Sequence, residues 1–88
     1  MRVERRDFLR LRAGQLAVLS CEQLFMRYLD SQIDDRTSEL FADLANDLRA
    51  VKTVQLVDRA WRARTDFNQQ LETVLAAFRS AGGTVTLA

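Results

Sequence analysis

The spacing of apolar residues is most regular over residues 66–80, where it predicts a helix. Apolar side chains recur there at intervals of three and four residues, which places them on one face of a helix. They are Phe67, Leu71, Val74, Leu75 and Phe78. Thr65 can cap the start of this helix, and Gly82-Gly83 follows its end as a C-cap does.

A second helix is predicted over residues 37–50, where the apolar positions again form one stripe. They are Leu40, Phe41, Leu44, Leu48 and Val51. Either Asp35 or Thr37 can cap the first turn, and Glu39 lies near the positive end of the helix dipole. Two amphipathic helices are therefore predicted between residues 37 and 80.

Apolar and polar residues alternate in three short segments, which predicts strands. In the clearest of them, Val54 and Leu56 alternate with Thr53 and Gln55, and the β-branched content also favours a strand. The three predicted strands cover residues 8–12, 54–58 and 84–87.

The segment between the first strand and the first helix fits two interpretations. Over residues 24–30 the side chains alternate as in a strand that is buried on both faces. Ser20 and Gln23 instead have the spacing of a capping box, which would start a helix within residues 16–29. We prefer the strand, because it would precede the first helix and so complete a βαβ unit with the strand that follows that helix.

Together these elements predict one small α/β domain over residues 1–88, with the order β-β-α-β-α-β. Consecutive right-handed crossovers that step in one direction across a sheet place their helices on the same face. The expected fold is therefore a two-layer sandwich, in which a mixed four-stranded sheet carries two helices on one face. The other face of the sheet would stay uncovered, so its side chains should be polar.

The alternation within each strand assigns its residues to one of these two faces. The helix-facing set is Leu9, Leu11, Val54, Leu56, Val85 and Leu87. The uncovered set is Arg10, Arg12, Thr53, Gln55, Thr84 and Thr86, with Arg27 added if residues 24–30 are in register. Phe8 and Phe25 are expected near the same uncovered face.

Composition fits a single small domain and excludes several classes of function. Of the 88 residues, 48% are apolar and 28% are charged, and no apolar stretch is long enough to span a membrane. The chain has no histidine, which excludes histidine-based catalysis and histidine metal sites. Cys21 is the single cysteine, so no internal disulfide can form and a cytoplasmic location is expected. We expect no enzyme activity, no cofactor and no metal.

Charge is nearly balanced overall but uneven along the chain. The net charge is +1, and twelve of the thirteen cations are arginine. Residues 1–12 hold five arginines against two carboxylates, a local charge of +3, whereas residues 30–47 hold six carboxylates against one arginine, a local charge of −5. Two such segments can pair head to tail between copies of the chain, or each can simply face solvent.

An arginine-rich segment, RAWRAR, follows the predicted strand over residues 54–58. It lies at the carboxyl end of a parallel strand and the start of a helix, where ligands bind in open α/β sheets. Arginines near helix amides suit a phosphate or a carboxylate, and Trp61 suits an apolar contact. The segment therefore predicts a partner- or anion-binding site; alternatively, Trp61 covers the edge of the core and the arginines face solvent. The candidate residues are Arg59, Trp61, Arg62, Arg64 and Thr65.

Residues 5–10 read RRDFLR, which resembles the twin-arginine export motif. The apolar stretch that would complete such a signal covers only residues 16–19, and no convincing cleavage site follows it. We interpret the motif as a charged segment that leads into the first strand.

The order of elements from residue 24 onward resembles the STAS family, the domains of anti-sigma-factor antagonists. The resemblance covers residues 24–88, as strand, helix, strand, helix and a Gly82-Gly83 turn before the last strand. It implies a small regulatory domain that acts through a protein partner. In that family a serine in an Asp-Ser-Ser-Gly loop after the middle strand is phosphorylated. Here Asp58 corresponds loosely, Thr65 is the only hydroxyl residue in the loop, and the glycine, the final strand and the final helix of the family are missing.

These observations predict a non-catalytic protein-interaction or regulatory domain of STAS-like layout. It would dock on a protein partner or self-associate, for example as a homodimer, and no membrane contact is expected. The alternative is RNA binding through the uncovered face of the sheet. In that case Arg10 and Arg12 would contact phosphates, while Phe8 and Phe25 would stack on bases.

Overall fold

A computed structural model of the chain describes residues 8–88, which form four strands and three α-helices. The strands are β1 (Leu9–Arg12), β2 (Leu16–Ser20), β3 (Thr53–Val57) and β4 (Thr84–Leu87). The helices are α1 (Cys21–Ile33), α2 (Thr37–Asp47) and α3 (Thr65–Ser80). Short 3-10 turns lie at Ala13–Gln15, Leu48–Ala50 and Arg59–Ala63. The arginines of the twin-arginine-like motif at positions 5 and 6, and most of the basic segment 1–12, lie outside the described residues.

The sheet is mixed and has the strand order β1-β2-β3-β4. β1 runs antiparallel to β2, whereas β2, β3 and β4 are parallel to one another. The chain passes from β2 to β3 through α1 and α2, and from β3 to β4 through α3, so both crossovers step in the same direction. The predicted α/β fold with a mixed four-stranded sheet is confirmed, although residues 8–88 contain three α-helices where two were expected.

Cross-strand register separates a buried face of the sheet from an uncovered one. On the buried face Ala17 pairs with Val54 and Leu19 pairs with Leu56, and all four side chains are fully buried in the core. Leu11 lies on the same face but is exposed, because β1 is an edge strand where the helices give little cover. The core therefore sits between the two central strands and the helices.

The uncovered face is formed by the alternate residues of each strand. Arg10, Val18, Gln55 and Thr86 make one row across all four strands, and none of them is buried. For β1, β3 and β4, the residues in this row are those that the alternation assigns to the uncovered face of the sheet. The middle of this face is less polar than expected, because β2 contributes Val18 to it.

The strand predicted over residues 24–30 is wrong, because this segment lies inside α1 and the second strand precedes it as β2. The Ser20 hydroxyl accepts a hydrogen bond from the backbone N–H of Gln23 at 3.2 Å and so caps the helix. The helix interpretation is therefore correct, although the backbone N–H of Ser20 donates to the Phe8 carbonyl at 2.8 Å and not to the Gln23 side chain, so the reciprocal bond of a capping box is not formed. Leu24 and Tyr28, one turn apart, are buried against the core. The alternation is misleading because α1 carries apolar side chains on two of its sides.

Three side chains expected at the uncovered face of the sheet lie elsewhere. Phe25 and Arg27 belong to α1, since their segment is a helix. Phe8 is 3% exposed and belongs to the hydrophobic core. The uncovered face therefore keeps Arg10 and Arg12 but presents neither phenylalanine ring.

The predicted N-caps of the other two helices are also wrong. Thr65 is the first residue of α3, and Arg64 occupies the N-cap position without a side-chain capping bond. Arg36, rather than Asp35 or Thr37, occupies the N-cap position of α2. Asp35 has a positive φ of 56° and so belongs to the turn between α1 and α2, one residue too early to cap.

The end of α3 is capped by glycine as predicted. Gly82 has a φ of +101°, and its N–H donates a hydrogen bond to the Arg79 carbonyl, while the N–H of Gly83 donates to the Phe78 carbonyl. These are the two hydrogen bonds of a Schellman motif. The motif brings Gly83 so close to Phe78 that an added Cβ would lie 2.4 Å from the ring.

Phe67 of α3 lies at the centre of an aromatic cluster that joins the three helices. Its ring centroid is 5.2 Å from that of Phe25, 5.3 Å from that of Tyr28 and 6.2 Å from that of Phe41. All four rings are buried, and Phe67 is fully so. Phe67 therefore packs against both α1 and α2 and links them to α3.

Candidate protein-docking site on α1 and the turn after β3

The turn that follows β3 begins at the carboxyl ends of two parallel strands. Asp58 has a positive φ of 57°, and its carboxylate accepts a hydrogen bond from the Ser20 hydroxyl at 2.9 Å. Because Ser20 ends β2 and caps α1, this bond ties the end of β3 to the start of α1. The 3-10 turn that follows packs against α1.

Arg62, one of the five predicted site residues, points back onto α3. Its Nε donates a hydrogen bond to Asn68 Oδ1 at 2.7 Å, and its guanidinium pairs with the carboxylate of Glu72. The other oxygen of that carboxylate lies 3.6 Å from Arg79 Nη1. With its side chain 19% exposed, Arg62 already has a carboxylate partner and fastens the turn to α3.

Trp61 and Arg64 both lie over Phe25 of α1. The Trp61 and Phe25 ring centroids are 5.6 Å apart, and Arg64 Cζ is 5.6 Å from the Phe25 centroid, within reach of a cation–π contact. Trp61 is 36% exposed, so one part of the indole covers the edge of the core while another part faces outward. Trp61 thus covers the edge of the core with one part of its ring system and leaves another part available for an apolar contact.

Arg59 and Thr65, the remaining two predicted residues, are exposed. Thr65 and Arg64 form one wall of a shallow groove of about 280 Å³, and Leu29 of α1 lies on its other side. The predicted residues therefore do not converge on one point. Trp61, Arg64 and Thr65 border α1, whereas Arg62 turns away toward α3.

An exposed apolar stripe on α1 extends this surface. Met26, Leu29 and Ile33 are 42%, 43% and 82% exposed, and their spacing of three and four residues places them on one side of the helix. We call these three residues the outer stripe. Phe25 lies next to it on the helix surface and connects it to Trp61.

The alternation of apolar and polar side chains over residues 24–30 hides the outer stripe, because it predicts a strand that is buried on both faces. A helical interpretation of the same residues contains the signal. Leu24 and Tyr28 mark the buried side of α1, and Met26, Leu29 and Ile33 then fall on a different side. A surface helix packs on the core with one apolar side, so a second apolar side is not explained by packing within the chain.

Carboxylates surround the C-terminal end of the outer stripe. Asp30 lies beside it on α1, Asp34 and Asp35 lie just beyond it, and all three are exposed. They belong to the segment over residues 30–47 with a local charge of −5. Leu29 and Ile33 are thus apolar side chains with a negatively charged border.

Cys21 is the first residue of α1 and is fully buried. Burial raises the pKa of its thiol, and the nearby Arg62 only partly opposes this shift. The thiol is therefore protonated at neutral pH, which does not favour a nucleophilic role.

Within residues 8–88 no group of three or more cysteine, aspartate or glutamate side chains lies close enough together to hold a metal ion. No helix in that same part of the chain is long and apolar enough to cross a membrane.

The uncovered face of the sheet is the second surface considered for a partner. Arg10 and Arg12 are exposed there, beside Leu16 and Val18 of β2. Because Phe8 is buried and Phe25 lies on α1, the RNA-binding alternative lacks the two rings on which it was based.

The chain matches no protein-family model, and no curated protein or solved structure is significantly similar to it.

Proposed function

We propose that this chain is a small protein-interaction domain that binds a protein partner or a second copy through the outer stripe of α1, with Trp61 beside it. The observation that carries this proposal is the exposure of three large aliphatic side chains within two turns of one helix. Neighbouring exposed apolar side chains of this kind are typical of surfaces that another molecule covers.

The arrangement of the outer stripe also suits a protein partner. Anchors at positions 26, 29 and 33 have the spacing by which a helix docks in a groove. Trp61 and Arg64 lie at one side of this surface, and tryptophan and arginine are enriched among the residues that dominate interface energies. The aspartates at the other end provide a polar rim.

A regulatory role, which the STAS-like layout implies, belongs to the same proposal, as does a cytoplasmic location. The single, buried Cys21 suits a reducing compartment. One element of the resemblance, the strand over residues 24–30, is a helix in this chain, so the regulatory role rests on the later elements alone.

A double variant, Leu29→Gln/Ile33→Gln, tests the proposal against a matched control, Leu11→Gln/Leu87→Gln. Both variants replace two exposed apolar side chains with glutamine, but the control lies on the edge strands of the sheet. We expect both to fold, since all four side chains are exposed and each substitution should cost less than about 1 kcal/mol. Only the α1 variant should lose binding.

Binding is measured by chemical cross-linking of the tagged protein in its own cells and quantification of each cross-linked product. Products formed by the wild type and by the control variant, but lost from the α1 variant, are the expected result. An unchanged set of products from Leu29→Gln/Ile33→Gln would refute the outer stripe as the docking surface.

A further inference from the structure

A groove of about 710 Å³ lies between the C-terminal ends of α2 and α3, above the first residues of β3 and β4. Its apolar floor includes Val51, Val74 and Phe78. Small residues give the groove its depth; they are Ala45, Ala77, Ala81, Gly82 and Gly83. The volume lies within the range of natural binding sites.

The capping motif of α3 forms one part of the groove lining. Gly83 passes against the ring of Phe78, where any Cβ would lie 2.4 Å from the ring atoms. The same hydrogen bonds that end the helix place Gly83 against the Phe78 ring, which lines the groove.

The charges of the groove are positive. Arg49 and Lys52 contribute to its lining, and the described residues that line it include no carboxylate. The outer stripe has the opposite character, because exposed aspartates at positions 30, 34 and 35 surround its end. The outer stripe thus has a negative border at its C-terminal end, whereas the groove is apolar with a positive border.

We propose that the groove between α2 and α3 binds the outer stripe of α1 from a second copy of this chain. This inference rests on the proposed function and names the partner of the same surface. Ile33, the most exposed large apolar side chain in residues 8–88, enters the groove toward Phe78. Asp30 and Asp34 of one copy then face Arg49 and Lys52 of the other.

The two surfaces cannot meet within one molecule. The outer stripe ends next to the start of α2, and the groove lies at its other end, so the 11 residues of the helix separate them by roughly 16 Å. Each copy therefore offers one stripe and one groove. Such contacts close into a reciprocal dimer or continue head to tail, depending on the rotation between copies.

Sedimentation equilibrium over a concentration series tests the inference. At about 0.02 M salt and up to about 1 mM protein, the average mass of the wild type should rise with concentration. Raising the salt to about 0.3 M should weaken the association about tenfold, because the charged borders are exposed. A wild type that stays monomeric at low salt would overturn the inference.

Two charge-reversal variants make the test specific to these surfaces. Asp30→Lys/Asp34→Lys places a positive border beside a positive groove, and Arg49→Glu/Lys52→Glu places a negative border beside a negative groove. Each variant alone should be monomeric, whereas an equimolar mixture of the two should associate again. Association of either variant alone, or no association of the mixture, contradicts the proposed contact.

Arg10→Glu/Arg12→Glu is the matched control, since it changes net charge by the same amount on the uncovered face of the sheet. It should self-associate like the wild type. If it becomes monomeric as well, net charge or the sheet face controls association and the inference fails. The proposed function fails separately, through unchanged cross-linking of Leu29→Gln/Ile33→Gln.

Discussion

α1 and α3 have similar lengths, 13 and 16 residues, but use their apolar residues differently. All the large apolar side chains of α3 are buried, namely Phe67, Leu71, Val74, Leu75 and Phe78. α1 buries a comparable set on its inner side and exposes the outer stripe besides. Folding alone therefore explains the sequence of α3 but not that of α1.

This difference separates residues that the core requires from residues that remain available for a partner. A fully buried side chain contributes the transfer of its surface out of water, whereas an exposed one contributes little to folding. The same kind of substitution should therefore have large effects on α3 and small effects on the outer side of α1.

Phe67→Ala should have the largest effect, because it empties the centre of the aromatic cluster. We expect it to lower the free energy of unfolding by about 3–5 kcal/mol, while Leu29→Ala on α1 lowers it by less than about 1 kcal/mol. Urea denaturation measures both. If Phe67→Ala does not fold, Phe67→Leu should still cost about 1–2 kcal/mol. Equal losses at positions 67 and 29 would contradict the contrast.

Gly83→Ala should destabilise the end of α3, since its Cβ would lie 2.4 Å from the Phe78 ring. We expect a loss of about 1–3 kcal/mol in the free energy of unfolding. The same substitution in a Phe78→Leu background should cost less, because the smaller side chain leaves room. Equal losses in the two backgrounds would show that the ring is not the obstacle.

Ser20→Ala should remove the N-cap of α1 and its hydrogen bond to Asp58. The expected loss is about 1 kcal/mol, measured by thermal unfolding. Ser38→Ala, at an exposed position in α2, is the matched control and should change stability by less than about 0.5 kcal/mol. No loss from Ser20→Ala would mean that α1 does not depend on this cap.

Ile33→Gln should have the smallest effect on folding. The side chain is 82% exposed, so its replacement should change the free energy of unfolding by less than about 0.5 kcal/mol. A loss above about 1.5 kcal/mol would show that Ile33 is needed for the core, and the contrast with α3 would no longer hold.

The sequence predicts those elements well in which one side is apolar and the other polar. α3 and β3 satisfy this condition, so periodicity gives their extent to within a residue or two. α1 does not, because its outer stripe adds apolar positions that break the helical period and imitate the alternation of a strand. The error in predicting α1 and the missed docking surface therefore have the same physical cause.

The sequence shows which residue types the candidate site contains, but it does not show which side chains they contact. RAWRAR identifies a tryptophan among arginines, yet nothing in its sequence shows that Arg62 turns back to Glu72, ten residues further along the chain. The contact of Trp61 with Phe25 is likewise not predictable from the sequence, because the alternation around Phe25 predicts a strand and not a helix. Such pairings depend on how α1, α3 and the turn pack, which no local pattern contains.

The most direct test of the docking surface is photo-cross-linking inside cells. Benzoylphenylalanine replaces Ile33 in one protein and Leu11 in another, both exposed apolar positions. We predict a covalent adduct from position 33, at the mass of two copies if the partner is the chain itself, and no equivalent adduct from position 11. No adduct from position 33, or the same adducts from both positions, would contradict a docking role for the outer stripe.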